Sequence, residues 1–115
     1  MHELAITQSI IDLAIETAKR ENARTINGID LVIGDLSSIV DDSVQFYFDI
    51  LSKETLAAGA QLHFRREPAI SLCQACGAQT PVKPPVPPFC PECGRDQITI
   101  RGGRDFRMES IDIET

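Results

Sequence analysis

The segment 73–94, CQACGAQTPVKPPVPPFCPECG, holds all four cysteines of this 115-residue chain in two Cys-x-x-Cys-Gly motifs. Cys73 and Cys76 form the first pair, and Cys90 and Cys93 form the second. Two intervening residues let both sulfurs of a pair face one metal ion, and the following glycine permits a tight turn of the backbone. The pattern therefore predicts a tetrahedral four-thiolate site, which suits a structural zinc ion.

Other uses of four cysteines fit the pattern less well. Iron in the same ligand set would make the protein a one-electron carrier. Disulfides would require an oxidising compartment. A catalytic zinc ion keeps an open coordination position, which four cysteines would close. A structural zinc ion by itself implies no activity, because its binding energy is spent on folding.

The composition changes abruptly around the cysteines. Residues 71–97 contain six of the seven prolines and few large apolar side chains, so this part of the chain cannot build a core of its own. We expect it to form a separate zinc-binding domain. Residues 1–70 and 98–115 are then expected to form a second, α+β domain around it.

Hydrophobic periodicity predicts the helices and strands of that second domain. Apolar residues recur at helical spacing from residue 3 to about residue 22, and again along a second helix that is expected to reach Gly59, with a break near Ser52. Alternating patterns predict strands, and Asn27-Gly28 is typical of a turn. The expected fold is α+β, with a small mixed sheet, two helices and an inserted four-cysteine, zinc-ribbon-like domain. The predicted strands lie near residues 29–33, 60–65, 98–100 and 106–113.

The charge balance argues against several classes of protein. Net charge is −6 and the sequence pI is about 4.8, whereas nucleic-acid binding draws most of its affinity from basic surfaces. No apolar run approaches the roughly 18 residues of a membrane span. The start lacks the basic region of a signal peptide, so we expect a cytoplasmic protein. No Ser/His/Asp set or phosphate-binding loop is present, which favours a protein that is not an enzyme.

The first three residues suggest a second metal site. The α-amine of Met1, the amide and imidazole of His2, and an oxygen or nitrogen of Glu3 can together chelate one ion. Square-planar, nitrogen-rich geometry suits Ni²⁺ and Cu²⁺. A histidine at position 2 is by itself weak evidence for a nickel site. The other histidine, His63, is expected on the solvent-facing side of a strand.

The start Met1-His2-Glu3-Leu4, the helix that follows it and the two cysteine motifs together resemble the HypA family of hydrogenase nickel-incorporation factors. The similarity extends over the whole chain and includes the Ile33-Gly34 strand end. It implies that the α+β domain binds Ni²⁺ through the N-terminal amine and His2, with Glu3 close by. It also implies a zinc ion on the four cysteines.

The resemblance further implies partners. These are a HypB-type GTPase and the large subunit of a [NiFe]-hydrogenase, and in some bacteria such a factor also serves urease maturation. Some family members place an acidic nickel ligand in the loop before the second helix. Here Asp41 or Asp42 could take that role or could cap the helix. The alternative function is a zinc-ribbon module that binds nucleic acid or docks proteins without delivering nickel.

Overall fold

A computed structural model describes the backbone of residues 2–115 and the side chains from Glu3 onward. The described chain contains two helices and two three-stranded sheets, ordered β2-β1-β6 and β4-β3-β5, which confirms the expected α+β class. Neither helix is long and apolar enough to cross a membrane. The elements are α1 (His2–Arg20), β1 (Thr25–Gly34), α2 (Asp41–Leu51), β2 (Gln61–Glu67), β3 (Ala69–Cys73), β4 (Gln79–Val82), β5 (Ile98–Arg101) and β6 (Phe106–Glu114).

The chain divides into two compact units. The helical unit comprises the residues up to Val32 together with Ile39–Arg65 and Phe106–Thr115. The cysteine unit comprises Ile33–Ser38 and Arg66–Asp105. The cysteine unit is therefore larger than the insert expected at 71–97, because the strands that flank the cysteines pair with one another and belong to it.

The central strand β1 differs from its prediction. It begins at Thr25 and runs straight through Asn27-Gly28, where a turn was expected. The apolar residues of its second half do not alternate with exposed ones, since Ile29, Leu31, Val32 and Ile33 are all buried. Its neighbour β6 is antiparallel, because Arg24 N–H donates to the Glu114 carbonyl at 2.7 Å while Ser110 bonds Asp30 further along.

The helical unit buries one face of each helix. The apolar side chains on the inner face of α1 recur at helical spacing, as predicted, and α2 contributes Val44 and Phe48. Helix α2 ends at Leu51, and the next N–H, that of Ser52, donates to the Phe48 carbonyl at 2.9 Å. The predicted break near Ser52 is therefore confirmed, and the predicted helix end near Gly59 was wrong. The buried apolar residues of α1 are Ile10, Ile11, Ala14 and Ala18.

The N-terminus of α2 is not capped as expected. Its N-cap residue is Val40, which makes no side-chain cap hydrogen bond. Asp41 and Asp42 lie in the first turn, where carboxylates favour the positive end of the helix dipole without capping it. In the loop before α2, the Ser37 hydroxyl donates to the Gly34 carbonyl at 2.7 Å.

The cysteine unit is built on β3, which pairs antiparallel with both β4 and β5. Neither β3 nor β4 was predicted as a strand. Ile70 pairs with Pro81 of β4, and proline is tolerated there because β4 is an edge strand. On the other edge of β3, Cys73 pairs with Ile98 of β5, so the position of the first cysteine is fixed by strand pairing.

Candidate metal centre

The first cysteine motif is a turn closed by its own backbone. Cys73 N–H donates to the Ala78 carbonyl at 3.0 Å, and Gly77 N–H donates back to the Cys73 carbonyl at 3.0 Å. Gly77 adopts a φ of +75°, a conformation that side chains with a Cβ rarely adopt. The glycine was expected for this reason, and the structure confirms it.

The second motif repeats this turn. Cys90 N–H donates to the Arg95 carbonyl at 2.7 Å, and Gly94 N–H donates to the Cys90 carbonyl at 2.9 Å. Gly94 has a φ of +77°, and a Cβ added at Gly77 or Gly94 would meet nothing within 4 Å. Backbone conformation, and not crowding, therefore explains both glycines.

The two turns bring the four sulfurs together. All four Sγ atoms lie within 4.8 Å of one another. The Cys73 and Cys93 sulfurs are 3.7 Å apart, as are those of Cys76 and Cys90, so each close contact joins one motif to the other. Four sulfurs held tetrahedrally at about 2.3 Å from an ion are about 3.8 Å apart. The cluster can therefore hold a metal ion, and the four cysteines predicted to do so are the ones that meet.

Backbone N–H groups point at two of the sulfurs. Cys76 N–H lies 3.4 Å from the Cys73 sulfur, and the N–H groups of Glu92 and Cys93 lie 3.4 and 3.5 Å from the Cys90 sulfur. Hydrogen bonds of this kind stabilise a thiolate. The Cys76 N–H, with that of Ala75, lowers the pKa of Cys73 to about 6. The Cys93 and Glu92 N–H groups likewise lower the pKa of Cys90.

Cys76 behaves in the opposite way. The Ala78 N–H favours its thiolate, but loss of hydration and the three neighbouring sulfurs outweigh that effect and raise the pKa of Cys76 to about 12. Four sulfurs this close cannot all carry negative charge without a cation among them. The electrostatics of the cluster therefore favour a bound metal ion.

The cluster is buried on one side. Cys73 and Cys90 are 2% and 3% exposed, whereas Cys76 and Cys93 are exposed. Four thiolates fill a tetrahedral coordination sphere, so a metal ion here would have no position open to a substrate. A closed arrangement of this kind is typical of structural metal sites.

The predicted N-terminal site lies partly outside the described residues, since Met1 and the side chain of His2 are not among them. Glu3 is described: its own backbone N–H and the Val40 N–H are among the groups that lower the pKa of its carboxyl. The beginning of α1 therefore lies beside the beginning of α2, where Asp41 follows Val40. Nothing in the local sequence signalled this contact, because it joins residues far apart in the chain.

The other histidine behaves as predicted. His63 is exposed on β2 and lies over Gly28 of β1, so that a Cβ added to this glycine would be 3.6 Å from His63 Nε2. Among the described residues, the cysteine cluster is the only group of three or more candidate metal ligands, and His63 is not part of it.

Charge is distributed unequally between the two units. The cysteine unit contains five basic and five acidic side chains, so its residues have no formal net charge. The helical unit contains six basic and twelve acidic side chains and carries the whole net charge of −6. The acidic character seen in the composition therefore belongs to the unit in which α1 begins.

Fold and site together define a small α+β protein with a four-thiolate metal centre. The profile of the HypA family, described as hydrogenase/urease nickel incorporation and metallochaperone, matches residues 1–113. The hydrogenase maturation factor HypA of Dehalococcoides mccartyi strain 195 is 40% identical over 114 residues, covering 99% of this chain and 95% of that protein. HypA of Methanocella arvoryzae is 39% identical over 116 residues and covers 99% of both chains. The chain belongs to the HypA family.

Solved structures agree with the fold. A solution structure of a HypA protein superposes with a TM-score of 0.69 at 26% identity, over 98% of this chain and 96% of that chain. The solution structure of the nickel metallochaperone HypA from Helicobacter pylori gives a TM-score of 0.65 at 22% identity, over 97% of each chain. The second likeness concerns the fold alone.

Proposed function

We propose that this protein is a nickel metallochaperone for the maturation of [NiFe]-hydrogenase, and that it is not an enzyme. The observation that carries the proposal is the match to the HypA family over residues 1–113, in a chain that begins Met1-His2-Glu3. The closed four-cysteine cluster supports a role without catalysis, because it offers no open coordination position.

Nickel is the cargo and binds at the N-terminus. The α-amine of Met1, the ionised amide of His2 and the imidazole of His2 supply the nitrogen ligands, and Glu3 lies next to them in sequence. The contact of Glu3 with Val40 supports an accessory role for Asp41 or Asp42, which follow directly. Ligands at a chain end have few covalent constraints, so a partner can displace them one at a time. Because an amide must ionise, capture is coupled to proton release.

Zinc is the resident ion of the cysteine cluster. The 3.7 Å sulfur separations support this assignment, since they match a tetrahedron with zinc–sulfur bonds of about 2.3 Å. Bound zinc supplies the charge that keeps four thiolates together. Cys73, Cys76, Cys90 and Cys93 then hold two turns of the chain in place, where few large apolar side chains are available to do so.

The partners are a HypB-type GTPase and the large subunit of a [NiFe]-hydrogenase, with urease maturation proteins as a further client in some organisms. The acidic helical unit suits cations and basic protein surfaces, and it disfavours nucleic acid. Reduced thiols in a metal cluster suit the cytoplasm, and no membrane association is proposed.

The test exploits the chain end. His2→Ala, or a residual tag before Met1, should abolish specific nickel binding measured by titration calorimetry, because either change removes part of the chelate. His63→Ala is the matched control and should bind nickel like the unchanged protein, since His63 is exposed on β2. Zinc content and circular dichroism should stay the same in all variants.

Two results would contradict the proposal. If tagged protein bound nickel as well as protein with a free N-terminus, the nickel site would lie elsewhere. If no form bound nickel while the zinc and the fold were retained, the protein would be a zinc-stabilised docking module.

A further inference from the structure

The two threonines of α1 are in contrasting environments. The Thr17 hydroxyl donates to the Leu13 carbonyl, four residues earlier, at 2.9 Å. Thr7 is only 1% exposed, yet among the described residues its Oγ1 has no hydrogen-bond partner. Most buried hydroxyls are hydrogen-bonded, so an unpartnered hydroxyl on the buried face of a helix calls for an explanation.

Thr7 also marks a gradient of packing along α1. The buried apolar residues Ile10, Ile11, Ala14 and Ala18 all follow it in the chain. Before it, Leu4 is 47% exposed, Ala5 is exposed and Ile6 is half-buried. The later turns are therefore held by apolar contacts, while the only fully buried described side chain in the first two turns is Thr7, with its unpaired hydroxyl.

An unpaired buried hydroxyl weakens the packing of its own turn. It loses its hydrogen bonds to water when the helix packs and gains none in return. When the turn moves away from the core, water can bond to the hydroxyl again. Local opening at a helix end is thereby favoured over opening of the whole helix, since segments with few buried apolar contacts open first.

The weakened turn is the one that carries the proposed nickel ligands. Glu3 lies four residues before Thr7 and so projects from the same side of α1. We propose that Thr7 promotes nickel release. Because its hydroxyl has no hydrogen-bond partner, the first two turns of α1 can detach from the core when the metal is transferred to a partner. This inference rests on the proposed function, because it assumes that nickel is bound at the start of α1.

The experiment compares two substitutions in the full-length, zinc-loaded protein with a free N-terminus. Thr7→Val keeps the shape of the side chain and removes the unpaired hydroxyl. Thr17→Val is the matched control, because it removes a hydroxyl that already has a partner. Three quantities are measured: nickel affinity, amide hydrogen exchange at residues 6–9 of the nickel-free protein, and the rate at which nickel passes to excess free histidine.

We expect Thr7→Val to slow exchange at residues 6–9 by about tenfold, within the range expected for relief of an unsatisfied buried hydroxyl. Nickel release should slow by a similar factor. Thr17→Val should slow neither process. The hydrogen bonds that close the first turns run from these amides, so their exchange reports on opening of this part of α1.

Each other outcome overturns the inference. Unchanged exchange in Thr7→Val, or equal slowing by Thr17→Val, would show that the hydroxyl does not control opening. Slower exchange with unchanged nickel release would give Thr7 a purely structural role. If the unsubstituted protein failed to bind nickel, the proposed function would have failed first, and the affinity measurement separates that result from the others.

Discussion

Gly34 shows how a single missing side chain can be required by packing. A Cβ at this position would lie 2.3 Å from both the carbonyl carbon and the oxygen of Gly103, and 2.7 Å from the Arg104 nitrogen. These are backbone atoms, which cannot rotate away as a side chain does. Leu36 N–H donates to the Gly103 carbonyl at 2.6 Å and keeps the two segments together. Glycine is therefore required at position 34 because the backbone of Gly103 and Arg104 comes too close to leave room for a Cβ.

Gly34→Ala should destabilise the protein by about 3 kcal/mol or more, because overpacking against backbone forces a shift of the chain. Gly28→Ala is a control within the same strand. Its added Cβ would be 3.4 Å from the Gln61 oxygen and 3.6 Å from His63, which are tolerable contacts, so a change within about 1 kcal/mol is expected. Urea unfolding followed by circular dichroism measures both. Equal stability of the two variants would show that the Gly34 approach is not constrained.

Helix α2 has two faces that differ sharply in burial, although their residues are close in sequence. Phe48 is 2% exposed and fills the core beside Val44. Phe46, two residues earlier, is 59% exposed and contacts the ring of Tyr47 edge-on at 5.3 Å. Within α2, only Val44 and Phe48 are fully buried.

Phe48→Ala should cost about 3–5 kcal/mol, the usual loss when a buried aromatic side chain leaves a cavity. Phe46→Ala should change the free energy of unfolding by no more than about 0.5 kcal/mol, because exposed substitutions away from special features have small effects. Thermal or urea denaturation of the two variants provides the comparison. A large loss at Phe46 would mean that its side chain is buried in the protein in solution.

Local patterns predicted some elements well and others poorly. The four cysteines with their glycines, α1, and the break at Ser52 follow from chemistry within a few residues. β3 and β4 were missed because Pro81 and the neighbouring cysteine motif suggested irregular chain. They pair with each other around the first cysteine motif, and β3 also pairs with β5, far along the chain. The turn expected at Asn27-Gly28 was wrong for a related reason. Gly28 lies in a central strand beneath His63, a contact between residues 35 positions apart.

At the scale of the whole molecule, the two units rely on different sources of stability. The helical unit buries large apolar side chains from α1, β1 and α2. In the cysteine unit beyond β1, the buried side chains are small or moderate in size: Ala69, Ser71, Cys73, Val82 and Cys90. A unit with so little apolar core needs another source of stability, and a metal ion held by the four cysteines can provide it.

Removing the metal with excess chelator should therefore unfold the cysteine unit selectively. Amide protection in β3, β4 and β5 is expected to fall, while amides in the central turns of α1 keep theirs. Hydrogen exchange before and after chelation measures the difference by segment, and re-addition of zinc should restore protection. Retained protection in all three strands of metal-free protein would show that the unit folds without an ion.

The division of the chain into interleaved segments has a consequence for synthesis. The helical unit needs β6, which pairs with β1 from the far end of the sequence, whereas the segments of the cysteine unit all precede β6. On the ribosome, all four cysteines leave the exit tunnel before β6 does. The sheet of the helical unit can therefore be completed only after every segment of the cysteine unit has emerged.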